Sequence, residues 1–268
     1  MKLTLVKKLA SAAIGAALIG AATPTLALPT LTTPDGVVDP FGGFDWNSAG
    51  SAVVAGFAPV TGTAITTTYF ANAVNVKLVG GANFPTPNLF PPVGTYEYTV
   101  RAIINETITC LNIACSSAAF TTTSGSWQVW YDTTPDSNLV TGAGITDGTL
   151  ILAGTMNPGA AGVFIASATG GTGVFEFAGA VTFTNLAFIN PALDTSNAVA
   201  TLQFGTSTTG WTQPTSLPGA AGGTSALPAG AIIFQADGNQ AFAVPEPAPL
   251  ALAGLGLLLA GLSRRRRR

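Results

Sequence analysis

The stretch from Thr95 to Thr109, Thr-Tyr-Glu-Tyr-Thr-Val-Arg-Ala-Ile-Ile-Asn-Glu-Thr-Ile-Thr, alternates in a way that decides the fold class. Tyr96, Tyr98, Val100, Ala102 and Ile104 fall on one side of an extended chain, and Glu97, Thr99 and Arg101 on the other, because successive side chains of a strand point to opposite faces. One apolar and one polar face is the pattern of a strand lying on a core. The same period recurs on both sides. Trp127, Val129 and Tyr131 alternate with Gln128 and Asp132, with Trp130 as an exception on the polar side. Further runs span residues 65–79, 149–156, 163–169, 174–186, 198–204 and 231–236.

Turn signals separate these runs: Pro135-Asp136-Ser137-Asn138, Asp147-Gly148, Asn157-Pro158-Gly159 and Asp237-Gly238-Asn239. Gly supplies positive φ there, Pro presets φ, and Asn and Asp bond their own backbone. No segment between the two chain ends keeps a 3.6-residue period with caps. The expectation is an all-β class, a single β-sandwich of about eight to ten strands with a jelly roll as its variant. Residues 29–45 read as loop-like, and Pro214 to Gly230 as a long surface loop. No repeat of fixed period argues for a solenoid or propeller.

The ends read differently. Lys2, Lys7 and Lys8 precede an apolar run from Leu9 to Ala22 and then Thr25-Leu26-Ala27. This is the layout of a secretory signal peptide over residues 1–27, with cleavage expected after Ala27. At the other end Val244-Pro245-Glu246-Pro247 leads into an apolar stretch from Ala248 to Leu262, then Ser263 and Arg264, Arg265, Arg266, Arg267 and Arg268. Fifteen residues rise about 22 Å as a helix, short of a ~30 Å hydrocarbon core. Five arginines cross a bilayer only at great cost, so they hold that end in the cytoplasm and make the segment a short transmembrane anchor.

A Pro-Glu-Pro motif, a short apolar helix and a terminal arginine cluster, in that order, resemble the PEP-CTERM sorting signal of Gram-negative bacteria. The resemblance implies that Pro245, Glu246 and Pro247 are read by an exosortase, a membrane protease that cuts near the motif. It also implies passage across the inner membrane, transient anchoring through residues 244–268, and delivery of residues 28–243 to the cell surface or extracellular matrix. The stretches Gly94 to Thr99 and Gly125 to Asp132 resemble flocculation- and matrix-associated members of the same group.

Composition then limits the chemistry. Between residues 28 and 243, Lys77 and Arg101 face eleven carboxylates, a net charge of −9. Such a body has no cationic footprint for phosphates, which argues against nucleic-acid binding. The absence of histidine removes Ser-His-Asp and Cys-His catalysis and histidine zinc sites. Neither a Gly-x-Ser-x-Gly elbow nor a Walker A loop occurs, and Gly170-Gly171-Thr172-Gly173 reads as a turn. Cys110 and Cys115 in an exported chain read as a local disulfide. Asp132, Asp136 and Asp147 flank turns and are the candidate ligands should the body bind calcium; otherwise no cofactor or metal is expected. Glu97, Glu106, Glu176 and the aspartates are the carboxylates a glycosidase would draw on, though nothing in the sequence brings any two together. Trp46, Trp127, Trp130 and Trp211 would stack on sugars if exposed.

The expectation is a non-enzymatic surface or matrix protein, structural or adhesive in a biofilm or floc, in contact with exopolysaccharide. A carbohydrate-binding module is the alternative, and a carboxylate-dependent glycosidase or lyase the third reading.

Overall fold

The computed structural model describes residues 28–243 apart from 92, 168–169, 194–196 and 206–210. The signal peptide with Ala27, and the sorting segment with Pro245, Glu246, Pro247 and residues 264–268, lie outside the described residues. Among the described residues every regular element is a strand, and no helix is long and apolar enough to cross a membrane.

The strands are β1 (Thr30–Thr33), β2 (Gly36–Val38), β3 (Phe41–Trp46), β4 (Ser51–Ala55), β5 (Ala64–Leu78), β6 (Asn83–Phe84), β7 (Glu97–Cys110) and β8 (Ser117–Asp132). There follow β9 (Thr149–Met156), β10 (Ala161–Ser167), β11 (Gly170–Thr184), β12 (Ile189–Asn190), β13 (Asn197–Gly205), β14 (Ser216–Pro218), β15 (Thr224–Ala226) and β16 (Ile232–Ala243). The alternation that opened the sequence reading is strand β7, where Tyr98, Val100, Ala102 and Ile104 are all buried on one face.

Two long strands are interrupted and then resume. β3 and β4 pair in succession with both β5 and β16, separated by a turn at residues 47–50. β9 and β10 do the same against β8 and β11, separated by Asn157-Pro158-Gly159-Ala160. Each broken pair therefore acts as one stave. Neighbours then run β3/β4, β5, β7, β8, β9/β10, β11, β13, β16 and back to β3/β4, every pairing antiparallel. The sheet closes on itself as an up-and-down ring of eight staves, which removes the exposed edges an open sheet presents.

The facing apolar walls are those a sandwich has, here joined along both sides. The jelly-roll variant is corrected: it needs Greek-key crossovers, whereas each stave pairs with the next in sequence. Three of the seven connections between successive staves, β4–β5, β7–β8 and β10–β11, are eight residues or shorter, and antiparallel neighbours need nothing longer; the other four run to twelve residues or more.

Rings fill the interior. Phe44 of β3 packs against Tyr98 of β7 at 5.1 Å, Trp127 of β8 against Phe242 of β16 at 6.2 Å, and Phe164 of β10 against Phe234 of β16 at 4.9 Å. The β1–β2 hairpin and β12 make a small three-stranded sheet. Its Leu31, Val38 and Ile189 are fully buried in the same core as Tyr96 and Tyr98. That sheet plugs one end of the barrel, and Tyr96 ties it down by donating its hydroxyl to Asp35 at 2.8 Å. Residues 29–45, expected to be loop-like, are thus three strands. Their brevity, with Pro34, Asp35-Gly36 and Pro40 between them, hides the alternation.

A second, smaller core lies outside the ring, where Val53, Phe70 and Ile145 are buried with Leu139, Leu217, Leu227 and Ile233 packed on them. The β8–β9 connection and the β14–β15 hairpin cover this patch. The expected loop from Pro214 to Gly230 therefore includes that two-stranded hairpin. The same covering layer accounts for Trp130. It sits on the outer face opposite Thr99, whose hydroxyl donates to the Ile145 carbonyl at 2.7 Å, and it is buried.

Candidate functional site

The end of the barrel opposite the plug holds a cavity of about 590 Å³. Strands β4, β8, β10 and β16 supply Val54, Phe120, Phe164 and Phe234 to its wall, and connecting segments add Phe57, Pro59 and Trp211. Ala114, Ala118 and Ala166 line the same space, and their small side chains leave it room. The β7–β8 turn forms part of the rim, closed by the Cys110–Cys115 disulfide. Leu111 and Ile113 stand exposed on that turn, and Val60 on the neighbouring one. Trp211 is fixed by its indole N–H, which donates to Ser51 Oγ at 3.2 Å.

Directly inward, Val54, Phe120, Phe164 and Phe234 also bound a second, smaller cavity of about 20 Å³. Ile65, Phe175, Phe204, Thr67 and Glu106 complete its wall. Glu106 is the residue whose place sequence reasoning missed. Continuing the two-residue period from Tyr96 through Ile104 puts it on the apolar face, between Ile104 and Ile108, and there it is 2% exposed. Its Oε2 accepts a hydrogen bond from Thr67 Oγ1 at 2.7 Å, while Oε1 has no partner. Its register partner across the β7–β8 ladder is Thr122, buried with an unpartnered Oγ1. The ladder slips by one residue here, from Asn105 opposite Ser124 to Glu106 opposite Thr122. Burial pushes the Glu106 carboxyl up to about 7, and the Thr67 hydrogen bond lowers it only in part.

A third interior cavity, of about 40 Å³, lies further toward the plug among Tyr69, Trp127, Met156 and Phe177. Gln240 lines it too, and the Tyr69 hydroxyl and Gln240 Oε1 are buried without partners.

The other acids separate into different roles. Glu97 lies on the outer face of β7, fully buried beneath the β8–β9 connection. Its Oε1 accepts from the backbone N–H groups of Asp136 and Ser137, both at 3.0 Å, and its Oε2 from the Ser137 hydroxyl. Burial raises this carboxyl to about 7 against the lowering effect of those donors. Glu97 and Glu106 thus point to opposite sides of one strand, and Glu176 is exposed on β11. None of the three is paired with another in the way a two-carboxylate hydrolase requires.

Asp132, Asp136 and Asp147 are brought together: one carboxylate oxygen from each lies within 4.8 Å of the others. Among the described residues this is the group able to hold a metal ion, and its all-oxygen donors suit a hard cation such as calcium. Asp136 is pushed above the usual carboxylate range by burial first and then by the charges of Asp147 and Asp132. Asp132 also caps its own turn, accepting from the Thr134 N–H at 2.7 Å. Of the four tryptophans, Trp46, Trp127 and Trp130 are buried, which leaves Trp211 half-buried at the mouth.

Both ends of the described body lie at the plugged end. Pro29 offers its carbonyl to the Phe41 N–H at 2.7 Å, and Phe41 packs on Phe242 near the close of β16. The sequence reaches Pro245 two residues after β16 ends. Neither a curated protein nor a solved structure matches the chain. Residues 243–268 do match a family model, the PEP-CTERM protein-sorting motif, and the chain accordingly carries the sorting signal of an exosortase substrate.

Proposed function

We propose that the barrel is a non-catalytic structural or adhesive protein of the cell surface or extracellular matrix, working in a biofilm or floc alongside exopolysaccharide. The observation that carries this reading is the sorting motif at residues 243–268, which implies secretion, transient membrane anchoring and surface display. The body is consistent with that destination. It has no histidine, a net charge of −9 between residues 28 and 243, and a closed sheet without edges to recruit other strands.

The carbohydrate-binding alternative depends on aromatic faces open to solvent, and burial of three tryptophans counts against it. Calcium at Asp132, Asp136 and Asp147 is kept as a proposal on the geometry of the three carboxylates. Its check is whether millimolar calcium raises the melting temperature of the protein and Asp147→Asn abolishes the effect.

Two measurements test the main reading. The intact mass of the extracellular protein should match a chain lacking residues 1–27 and the arginine tail. Deleting the gene should reduce cell aggregation and the protein content of the matrix, whereas unchanged aggregation would count against the adhesive role.

A further inference from the structure

The mouth cavity combines three features that the sorting reading leaves unused. Its wall is aromatic, with Phe57, Phe120, Phe164, Phe234 and Trp211 around one space. Its inner boundary is shared with the cavity that Glu106 lines. Glu106 Oε1 and Thr122 Oγ1 are buried and unpartnered inside the barrel. A buried acceptor left unpaired is costly, so native proteins rarely keep one without a use.

We propose that this end of the barrel binds a small apolar amine, its hydrocarbon held among the mouth's rings and its ammonium hydrogen-bonded to Glu106 Oε1. Each part of the ligand answers a feature of the site. The volume suits a small molecule, and barrel mouths are a common place for one. Ring faces carry negative potential and attract a cation. A carboxylate without a basic partner is best completed by a charged donor, which forms the stronger class of hydrogen bond. The acidic body draws cations toward the mouth and repels anionic amphiphiles. Phe164 and Phe234 border both cavities and are only partly buried, so rotation of their side chains would join the two spaces as the ligand enters.

The test uses the processed protein recovered from the cell surface and three probes of equal chain length: n-octylamine, octan-1-ol and octanoate. Titration calorimetry at pH 8, where Glu106 is ionised and octylamine still protonated, should show octylamine binding roughly tenfold or more tighter than octanol, with octanoate weaker still. Glu106→Gln should remove the preference for the amine while octanol affinity stays within about twofold. Ala166→Trp, on the wall of the mouth, should weaken all probes by filling the cavity. Near-ultraviolet circular dichroism checks that each variant keeps its tertiary structure. Equal affinity for the three probes, or an amine preference that survives Glu106→Gln in a folded protein, overturns the proposal.

Discussion

Glu106 and Glu97 share a raised pKa of about 7, but for opposite structural reasons. Glu106 sits among phenylalanine rings with a single donor, Thr67, whereas Glu97 gathers three donors from the β8–β9 connection. For both, the folded chain holds a proton that the unfolded chain releases near the ordinary glutamate value of 4.5. Their contribution to stability is therefore complete below about pH 4.5 and is lost as pH rises through about 7. A pKa unit corresponds to about 1.4 kcal/mol, so ionising Glu106 in place costs at most roughly 3–4 kcal/mol. Glu106→Gln should raise the melting temperature at pH 8, leave it nearly unchanged at pH 4.5, and flatten the profile between. A variant as sensitive to pH as the parent would show that other groups carry the dependence. Glu97→Ala should instead destabilise at both pH values, by about 2–4 kcal/mol in denaturant titration, because Asp136 N–H and the two Ser137 donors lose their acceptor in a buried site.

Strand β9 meets β8 with Gly154 directly opposite Trp127. A Cβ at Gly154 would lie 2.3 Å from Trp127 Cζ2 and 2.4 Å from the Ala180 carbonyl oxygen, closer than either neighbour allows. The glycine makes the space for the indole, a pairing of small against large that lets a narrow barrel fill its interior. Gly154→Ala should cost about 1–3 kcal/mol through overpacking, read as a melting temperature lower by several degrees. No loss of stability would mean that the indole has room to move. The elements are more legible in the sequence than their arrangement. The alternation of Tyr96, Tyr98, Val100, Ala102 and Ile104 is visible because an inward and an outward face differ in polarity from the start of β7 as far as Ile104. Carried two residues further, it also reaches Glu106, so the buried carboxyl was legible as a charge on the apolar side. What covers a strand from outside was not. Trp130, Thr99 and Glu97 look like polar-face residues until the β8–β9 connection folds over them. Nor does alternation report which strand closes the ring: the pairing of β16 with β3 and β4 joins residues nearly two hundred positions apart.

At the scale of the whole barrel, stability rests on closure and apolar packing far more than on charge. Among the described residues one ion pair is formed, Lys77 to Asp45 at 3.4 Å, and both side chains are partly exposed. A pair of that kind contributes about 0–1 kcal/mol. The remaining carboxylates carry the body to −9 and repel one another, most directly where Asp132, Asp136 and Asp147 meet. Added salt therefore has little attraction to screen and a good deal of repulsion. Raising sodium chloride from about 10 mM to about 300 mM shortens the screening length from roughly 30 Å to well under 10 Å. The melting temperature should rise by a few degrees over that range, and Asp136→Asn, which removes the middle of the cluster, should reduce the rise. A fall in melting temperature with salt would mean that attractive pairs dominate the surface, contrary to a body with two cations among eleven acids.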